Sequence, residues 1–307
     1  MSDIVLETHN LTKAFGSQFA LDHLDVSIPK GTICGFLGRN GAGKTTAIKL
    51  MLGLLHPTIG SATLLGCDAQ ALTSEIKARI GYVTEGHRLI TWMTIQKIEQ
   101  FQKAFYPDQW DSNFFAEMIE YFDLSPKKKI KHLSNGQRAQ VSLALTLTPN
   151  PELLIMDDPT LGLDPAIRRQ FLEGMIHLIM NQGRTVLFSS HILADVERVC
   201  DRLLVLDKGV LRADCTVEQF RQSVIKTKMT FKDKPPEALD IPGQLASRRG
   251  ENELEILLVG TPENIITQWA NTNGAIRHEI LPMNLEDQFI DFTAPEKIKR
   301  IMRWEEN

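Results

Sequence analysis

The sequence predicts an α/β fold built around a phosphate-binding loop, with a small α+β appendage at its C-terminal end. Three observations predict it. First, Gly38-Arg39-Asn40-Gly41-Ala42-Gly43-Lys44-Thr45-Thr46 fits the pattern G-x-x-x-x-G-K-[ST]. Second, that loop is flanked as it must be: Ile33-Cys34-Gly35-Phe36-Leu37 reads as a buried strand, and Ala47-Ile48-Lys49-Leu50-Met51-Leu52 as a helix stopped by Gly53. Third, short apolar runs at 153–156 and 185–188 alternate with helical periodicity. Glycines let the backbone approach a phosphate, and consecutive N–H groups at a helix start meet its negative charge. Lys44 is placed to reach β- and γ-phosphates, and the Thr45 hydroxyl to ligate Mg²⁺. The pattern predicts binding of a nucleoside triphosphate.

Composition narrows the class. A chain of 307 residues suits one large domain or two smaller ones, and 43% hydrophobic with 23% charged residues is ordinary for a globular protein. A net charge of −4 argues against non-specific nucleic-acid binding. Cys34, Cys67, Cys200 and Cys215 show no C-x-x-C pair and no metal spacing, so they are expected to be reduced thiols filling core space. Neither a signal peptide nor an apolar run long enough to span a bilayer is evident, so direct membrane insertion is not expected.

In chain order, residues 3–8 and 24–28 read as strands around a polar turn that carries Lys13-Ala14-Phe15-Gly16. Phe15 is an aromatic in a loop, able to stack on a base or to pack. Beyond the phosphate-binding helix come a turn at His56-Pro57-Thr58-Ile59-Gly60, a strand at 62–65, and a strand at 79–83 running into Thr84-Glu85-Gly86-His87-Arg88. Ile95, Ile98, Phe101 and Phe105 fall at helical spacing, as do Phe114, Phe115, Met118, Ile119 and Phe122. Both stripes are expected to be the core of a helical subdomain. Lys127-Lys128-Lys129-Ile130-Lys131-His132 reads as a solvated charge run. Leu133-Ser134-Asn135-Gly136-Gln137 then opens a helix over 137–148, with Ser134 as N-cap, and that helix start offers a second phosphate site.

Leu153-Leu154-Ile155-Met156 is an apolar strand ending in Asp157-Asp158-Pro159. Carboxylates at the end of a buried strand form the Walker B arrangement, in which one acid holds Mg²⁺ and its neighbour handles the attacking water. Leu161-Gly162-Leu163-Asp164-Pro165 turns into a helix to about residue 182. The strand at 185–188 ends at Ser189-Ser190-His191, where a γ-phosphate contact is wanted.

Taken together, these residues resemble the nucleotide-binding subunits of ABC transporters, in the order and spacing of every motif from about residue 4 to 215. The segment 133–137 resembles the family's LSGGQ signature, the most discriminating piece. The resemblance implies a P-loop NTPase core of ABC ATPase type over 1–220, with a helical subdomain at about 86–150. It implies an adenine-stacking role for Phe15 and phosphate contacts from Gly38 to Thr46. It makes Asp157 the acid associated with Mg²⁺, Asp158 the general base, Asp164 the D-loop acid and His191 the switch histidine, with Lys44 the third catalytic group. Family members work as head-to-tail dimers with ATP between one chain's phosphate loop and the other's signature. Ser134, Asn135, Gly136 and Gln137 therefore serve the partner's nucleotide.

Three positions depart from the family pattern. Asn135 replaces a glycine, which is tolerable where φ is negative, and Asn is the best substitute where it is not. Glu85 stands at the usual Q-loop glutamine and puts a further carboxylate beside Mg²⁺. Asp158 stands at the usual glutamate. Losing one methylene draws the carboxylate back by about 1 Å, and misplacement of that size can cost ~10²-fold in rate.

Residues 221–307 read as an α+β accessory domain: strands at 225–231, 253–259 and 275–281, a helix at 262–272, and a break at Lys234-Pro235-Pro236. Asn284 to Phe289 resembles a segment near the end of exporter-type subunits. The functional expectation is an ATPase subunit, of the exporter-type branch, that hydrolyses ATP with Mg²⁺ to power a separate membrane-spanning permease. It would sit in the cytoplasm at the inner face of the cell membrane, as a homodimer or paired with a related ATPase subunit. The rival readings are a regulatory subunit with a slow, degenerate ATP site and a soluble ABC ATPase outside transport. A single cassette, and a gap from Thr46 to Leu133 too short for an inserted coiled coil, weigh against the soluble type.

Overall fold

The computed structural model describes residues 4–180, 183–294 and 302–303. The chain divides into two compact units, Met1–Ala213 and Asp214–Asn307.

The first unit opens with a long antiparallel hairpin, β1 (Ile4–Phe15) and β2 (Gln18–Pro29), rather than two short strands. The turn between them is Gly16-Ser17, so Phe15 ends a strand instead of lying in a loop. Several register shifts interrupt this pairing, which breaks the alternation that a sequence reading relies on. β3 (Ile33–Leu37) leads into the phosphate-binding loop and α1 (Lys44–Met51). β4 (Ile59–Leu64) and the short β5 (Cys67–Asp68) extend the hairpin sheet in the order β2-β1-β4-β5. After α2 (Ser74–Ala78), β6 (Ile80–Val83) joins the second sheet.

Two helices follow, α3 (Ile95–Lys103) and α4 (Ser112–Tyr121), N-capped by Thr94 and Asp111. Ile95, Ile98, Phe115, Met118, Ile119 and Phe122 are buried. Phe101 and Phe105 are not: they are exposed and meet edge to face, so that end of the first stripe is surface rather than core. α5 (Asn135–Leu147) buries nine of its residues and ends just before β7 (Leu153–Met156). α6 (Pro165–Met180) starts with proline at a position where no N–H is needed. Its expected end near residue 182 lies outside the described residues. β8 (Thr185–Ser190), α7 (Leu193–Val199), β9 (Arg202–Asp207) and β10 (Val210–Thr216) complete the unit.

The second sheet of this unit runs β10-β9-β3-β8-β7-β6, and β9, β3, β8, β7 and β6 are parallel. β3, β7 and β8 are buried along their whole length, as strands covered on both faces must be. Their continuous apolar runs are what made them legible. The carboxyl ends of β3, β7 and β8 lie side by side, because Leu37 pairs with Ser190 and Met156 with Phe188. Ligands of open α/β sheets bind at that edge.

The second unit is a separate antiparallel sheet, β12-β13-β11-β14, from β11 (Val224–Phe231), β12 (Gln244–Arg249), β13 (Glu253–Val259) and β14 (Ala275–Leu281). With it come α8 (Val217–Ser223), α9 (Glu263–Thr272) and α10 (Leu285–Phe292), the last N-capped by Asn284. Met229, Phe231, Leu254, Ile256, Leu258 and Ile266 form its core. β12 has no alternating pattern, five of its six residues being exposed, and carries no strand signal.

Candidate functional site

The loop between β3 and α1 adopts the backbone its glycines allow. Gly43 caps α1 at φ 106°, and a Cβ there would lie 2.4 Å from the Ala20 carbonyl oxygen. Lys44 is buried, and its Nζ donates to the Gly38 carbonyl at 2.8 Å. The loop lines a cavity of ≈ 610 Å³ whose wall includes Asn40, Gly41, Ala42, Gly43, Lys44, Thr45 and Thr46.

β7 and β8 bring the acids and the histidine to the same place. Asp157 Oδ1 accepts from Thr45 Oγ1 at 3.2 Å and from Ser189 Oγ at 2.9 Å. Burial pushes the Asp157 carboxyl up, opposed by the hydrogen bonds from Ser189 and Thr45. Asp158 has a left-handed backbone, φ 43°, and its N–H donates to Ser189 Oγ at 2.9 Å. Its Oδ1 accepts from the backbone N–H of His191 at 3.2 Å and from Nδ1–H of the ring at 2.9 Å, while Oδ2 lies 3.6 Å from Lys44 Nζ. This bond fixes the imidazole tautomer, leaving Nε2 available. Glu85 is exposed and lines the cavity with Asp158 and Thr45.

Other expected residues stand apart. Phe15 is exposed with Lys13 Nζ 5.2 Å from its ring centroid, and the cavity wall takes Phe19 instead. Ser134 N-caps α5 with Gln137 in a reciprocal capping box. Gln137 Oε1 also accepts from Lys128 Nζ at 3.1 Å, so one lysine of the charge run has a structural partner. Asn135 is the first residue of α5 and has no left-handed backbone, which is the condition under which it replaces glycine without strain. Gly136 packs so closely on α6 that a Cβ would lie 2.4 Å from Ile167 Cγ2. Asp164 Oδ1 accepts from the N–H groups of Ala166 and Ile167, capping α6.

Sequence reasoning also missed residues that complete the wall: Gln18, Phe19, Ala20, Leu161, Lys208 and Gly209. Gly209 N donates to the Ala42 carbonyl at 2.8 Å, a bond that spans a distance in sequence no local pattern encodes. Likewise Thr160 Oγ1 donates to the buried Asp195 at 2.8 Å, and Arg168 Nε lies 3.2 Å from the same carboxylate.

Comparison with known proteins decides the family. The chain is 31% identical over 303 residues to a Nod factor export ATP-binding protein I of Burkholderia orbicola, covering 96% of this chain and 99% of that protein. The chain belongs to the ABC transporter ATP-binding family. Residues 21–161 match the ABC transporter family itself. A bacitracin transport ATP-binding protein of Bacillus licheniformis is 34% identical over 221 residues, covering 71% of this chain and 72% of that protein. Among solved structures, the ATP-binding subunit of an ABC transporter aligns with TM-score 0.63 at 26% identity, over 71% of this chain and 92% of that one. A dimeric ATP-binding cassette bound to ADP and Pi shares the fold, with TM-score 0.61 at 23% identity over 69% of this chain and 98% of that one. As an ABC ATP-binding subunit the protein binds ATP and hydrolyses it to drive transport. Among the described residues, no helix is long and apolar enough to cross a membrane.

Proposed function

We propose that Asp158, His191 and Lys44 form the hydrolytic centre of an exporter-type ABC ATPase working on MgATP. The observation that carries this reading is the contiguity of the three groups: His191 on Asp158 Oδ1, and Lys44 within 3.6 Å of Oδ2. The short carboxylate at position 158 is thereby held at both oxygens. The loop N–H groups over 38–46 cradle the phosphates, and Lys44 exchanges the Gly38 carbonyl for a phosphate oxygen. Asp158 and His191 orient the water for in-line attack on the γ-phosphorus, with Asp158 Oδ2 accepting its proton. Developing charge on the phosphoryl oxygens is met by Lys44.

The residues fit a magnesium ion. Thr45 Oγ1 and Asp157 Oδ1 are hard oxygen donors 3.2 Å apart, with Glu85 on the neighbouring wall, and burial of Asp157 is a setting that a cation relieves. When bound, it would neutralise β- and γ-phosphate charge.

The signature residues 134–137 are not among those that line the cavity. A second copy, or a related ATPase subunit, in head-to-tail arrangement would bring its own residues 134–137 and Asp164 to this nucleotide. The name of the Burkholderia orbicola relative supports export and that of the Bacillus licheniformis relative supports transport; the route we propose is a separate permease at the inner face of the cell membrane, with residues 221–307 an accessory module. Hydrolysis by the purified chain should rise more steeply than linearly with its concentration and vanish in His191→Ala. Tight ATP binding with no turnover at any concentration would leave a regulatory subunit instead.

A further inference from the structure

His87 is 3% exposed and lies in the loop that leaves β6 two residues after Glu85. Its backbone is left-handed, φ 45°, a conformation uncommon among residues other than glycine, though histidine adopts it more readily than most. Nε2–H donates to the Pro159 carbonyl at 2.8 Å, while Nδ1 is buried without a hydrogen-bond partner. Unusual backbone and an unsatisfied buried nitrogen are both costly, and such costs persist where a loop's position matters more than its stability.

The acceptor explains what is being positioned. Pro159 directly follows Asp158, whose own backbone is left-handed at φ 43°. Ser189 Oγ fixes the N–H on one side of Asp158, and His87 fixes the first carbonyl beyond it. The peptide segment bearing the carboxylate is thus clamped at both ends, one clamp coming from β8 and the other from the loop of Glu85. Without the second clamp, this segment keeps the turn bond from Leu161 N to the Asp158 carbonyl and the Thr160 bond to Asp195 but loses its tie to the Glu85 loop, so the backbone that carries the carboxylate can shift.

We infer that His87 is a positioning residue for ATP hydrolysis, a donor that locks the Glu85 loop to the Asp158 loop and holds the carboxylate in register with Lys44 and His191. The inference rests on the proposed role of Asp158. The bond gives the loop entering the helical segment 95–121 a direct tie to the segment that bears the carboxylate.

The test compares donors of different reach in the full chain. Asn tolerates the left-handed backbone but is too short to reach Pro159, whereas the Gln amide extends about as far as Nε2. His87→Asn should lower kcat by about 10–100-fold with KM for ATP within about twofold, since misplacing a reacting group by ~1 Å costs rate rather than ground-state binding. His87→Gln should return kcat to within about fivefold of the parent. In an Asp158→Asn background, His87→Asn should change the residual rate by less than about twofold, because the group it positions is gone. Equal losses in the Asn and Gln variants, or a loss that persists undiminished in the Asp158→Asn background, would overturn the inference. Both His87 variants turning over like the parent, while Asp158→Asn is dead, would sink it and leave the role of Asp158 standing. Full activity in Asp158→Asn would remove that role itself. If His87→Asn fails to fold, His87→Leu against His87→Gln makes the same comparison, with melting temperatures measured alongside.

Discussion

Gly136 packs directly against α6, and substituting it tests how the start of α5 is held. A methyl at that position would lie 2.4 Å from Ile167 Cγ2, and ordinary contact begins near 3.4 Å, so α5 and α6 must part by the difference. α6 cannot easily yield there, because Asp164 caps its first turn through the N–H groups of Ala166 and Ile167. Overpacking of this kind costs about 1–3 kcal/mol, which for a domain of this size lowers Tm by roughly 2–4 °C per kcal/mol. The opening of about 1 Å also displaces residues 134–137 from the partner's nucleotide on the proposed reading, and that can cost ~10²-fold in rate. Gly136→Ala is therefore expected to lose both stability and turnover, measured by thermal denaturation and steady-state ATPase at saturating ATP. Ile167→Ala removes Cγ2, so in the Gly136→Ala background it should restore most of the rate, a strongly non-additive result. A parental rate and Tm in Gly136→Ala, or strict additivity in the double variant, would refute the packing argument.

Other consequences can be checked in the same assays. His191→Ala should lower kcat by about 10²–10⁴-fold with ATP affinity little changed, since it removes a group that acts in the transition state; a comparable loss of ATP affinity would point to a binding role instead. Gly43→Ala, with its Cβ 2.4 Å from the Ala20 carbonyl, should abolish nucleotide binding in a fluorescent-nucleotide titration, and retained affinity would contradict the loop geometry. Asp195→Ala strands Arg168 and the Thr160 hydroxyl and should cost about 2–4 kcal/mol in denaturant unfolding. Burial, followed by the nearby Asp157 and Glu85 charges, pushes the Tyr82 phenol up to about 12. Its folded value is raised, so its contribution is complete below the unfolded value near 10 and is lost as pH climbs from there to about 12. With the partly buried ring discounted for solvent, Tyr82→Phe should flatten alkaline destabilisation by about 1 kcal/mol, and an unchanged pH profile would rule this out.

The parts of the fold that could be read from sequence are those whose information is local. The loop 38–46, the apolar runs at β3, β7 and β8, and the capped start of α5 each declare themselves within ten residues. What could not be read depends on neighbours far along the chain. Beside Gly16, Phe15 reads as a loop residue, yet β1 continues through it and Phe19, two residues past the turn, lines the cavity. Phe101 and Phe105 share the helical period of Ile95 and Ile98, but periodicity does not say where the packing partner stops, and those two rings lie beyond it. The backbone of Asn135 was readable only as a condition, which its place in the first turn of α5 satisfies. The bonds that organise the site, Thr45 to Asp157, Ser189 to Asp157 and His87 to Pro159, join residues 112, 32 and 72 positions apart, and no window of sequence spans them.

The strand order carries a consequence for synthesis. β3 bears the phosphate-binding loop, but its sheet neighbours are β8 and β9, and neither exists until residues 185–207 have been made. The ribosome must add about 150 residues after Leu37 before β3 can pair, which at ~5–20 residues per second is roughly 7–30 s. Throughout that interval a five-residue strand, wholly buried in the finished protein, waits with both edges open. Nascent chains ending anywhere between β3 and β8 are thus the vulnerable species in this protein's life, and slowing translation within that window lengthens the exposure of this apolar strand.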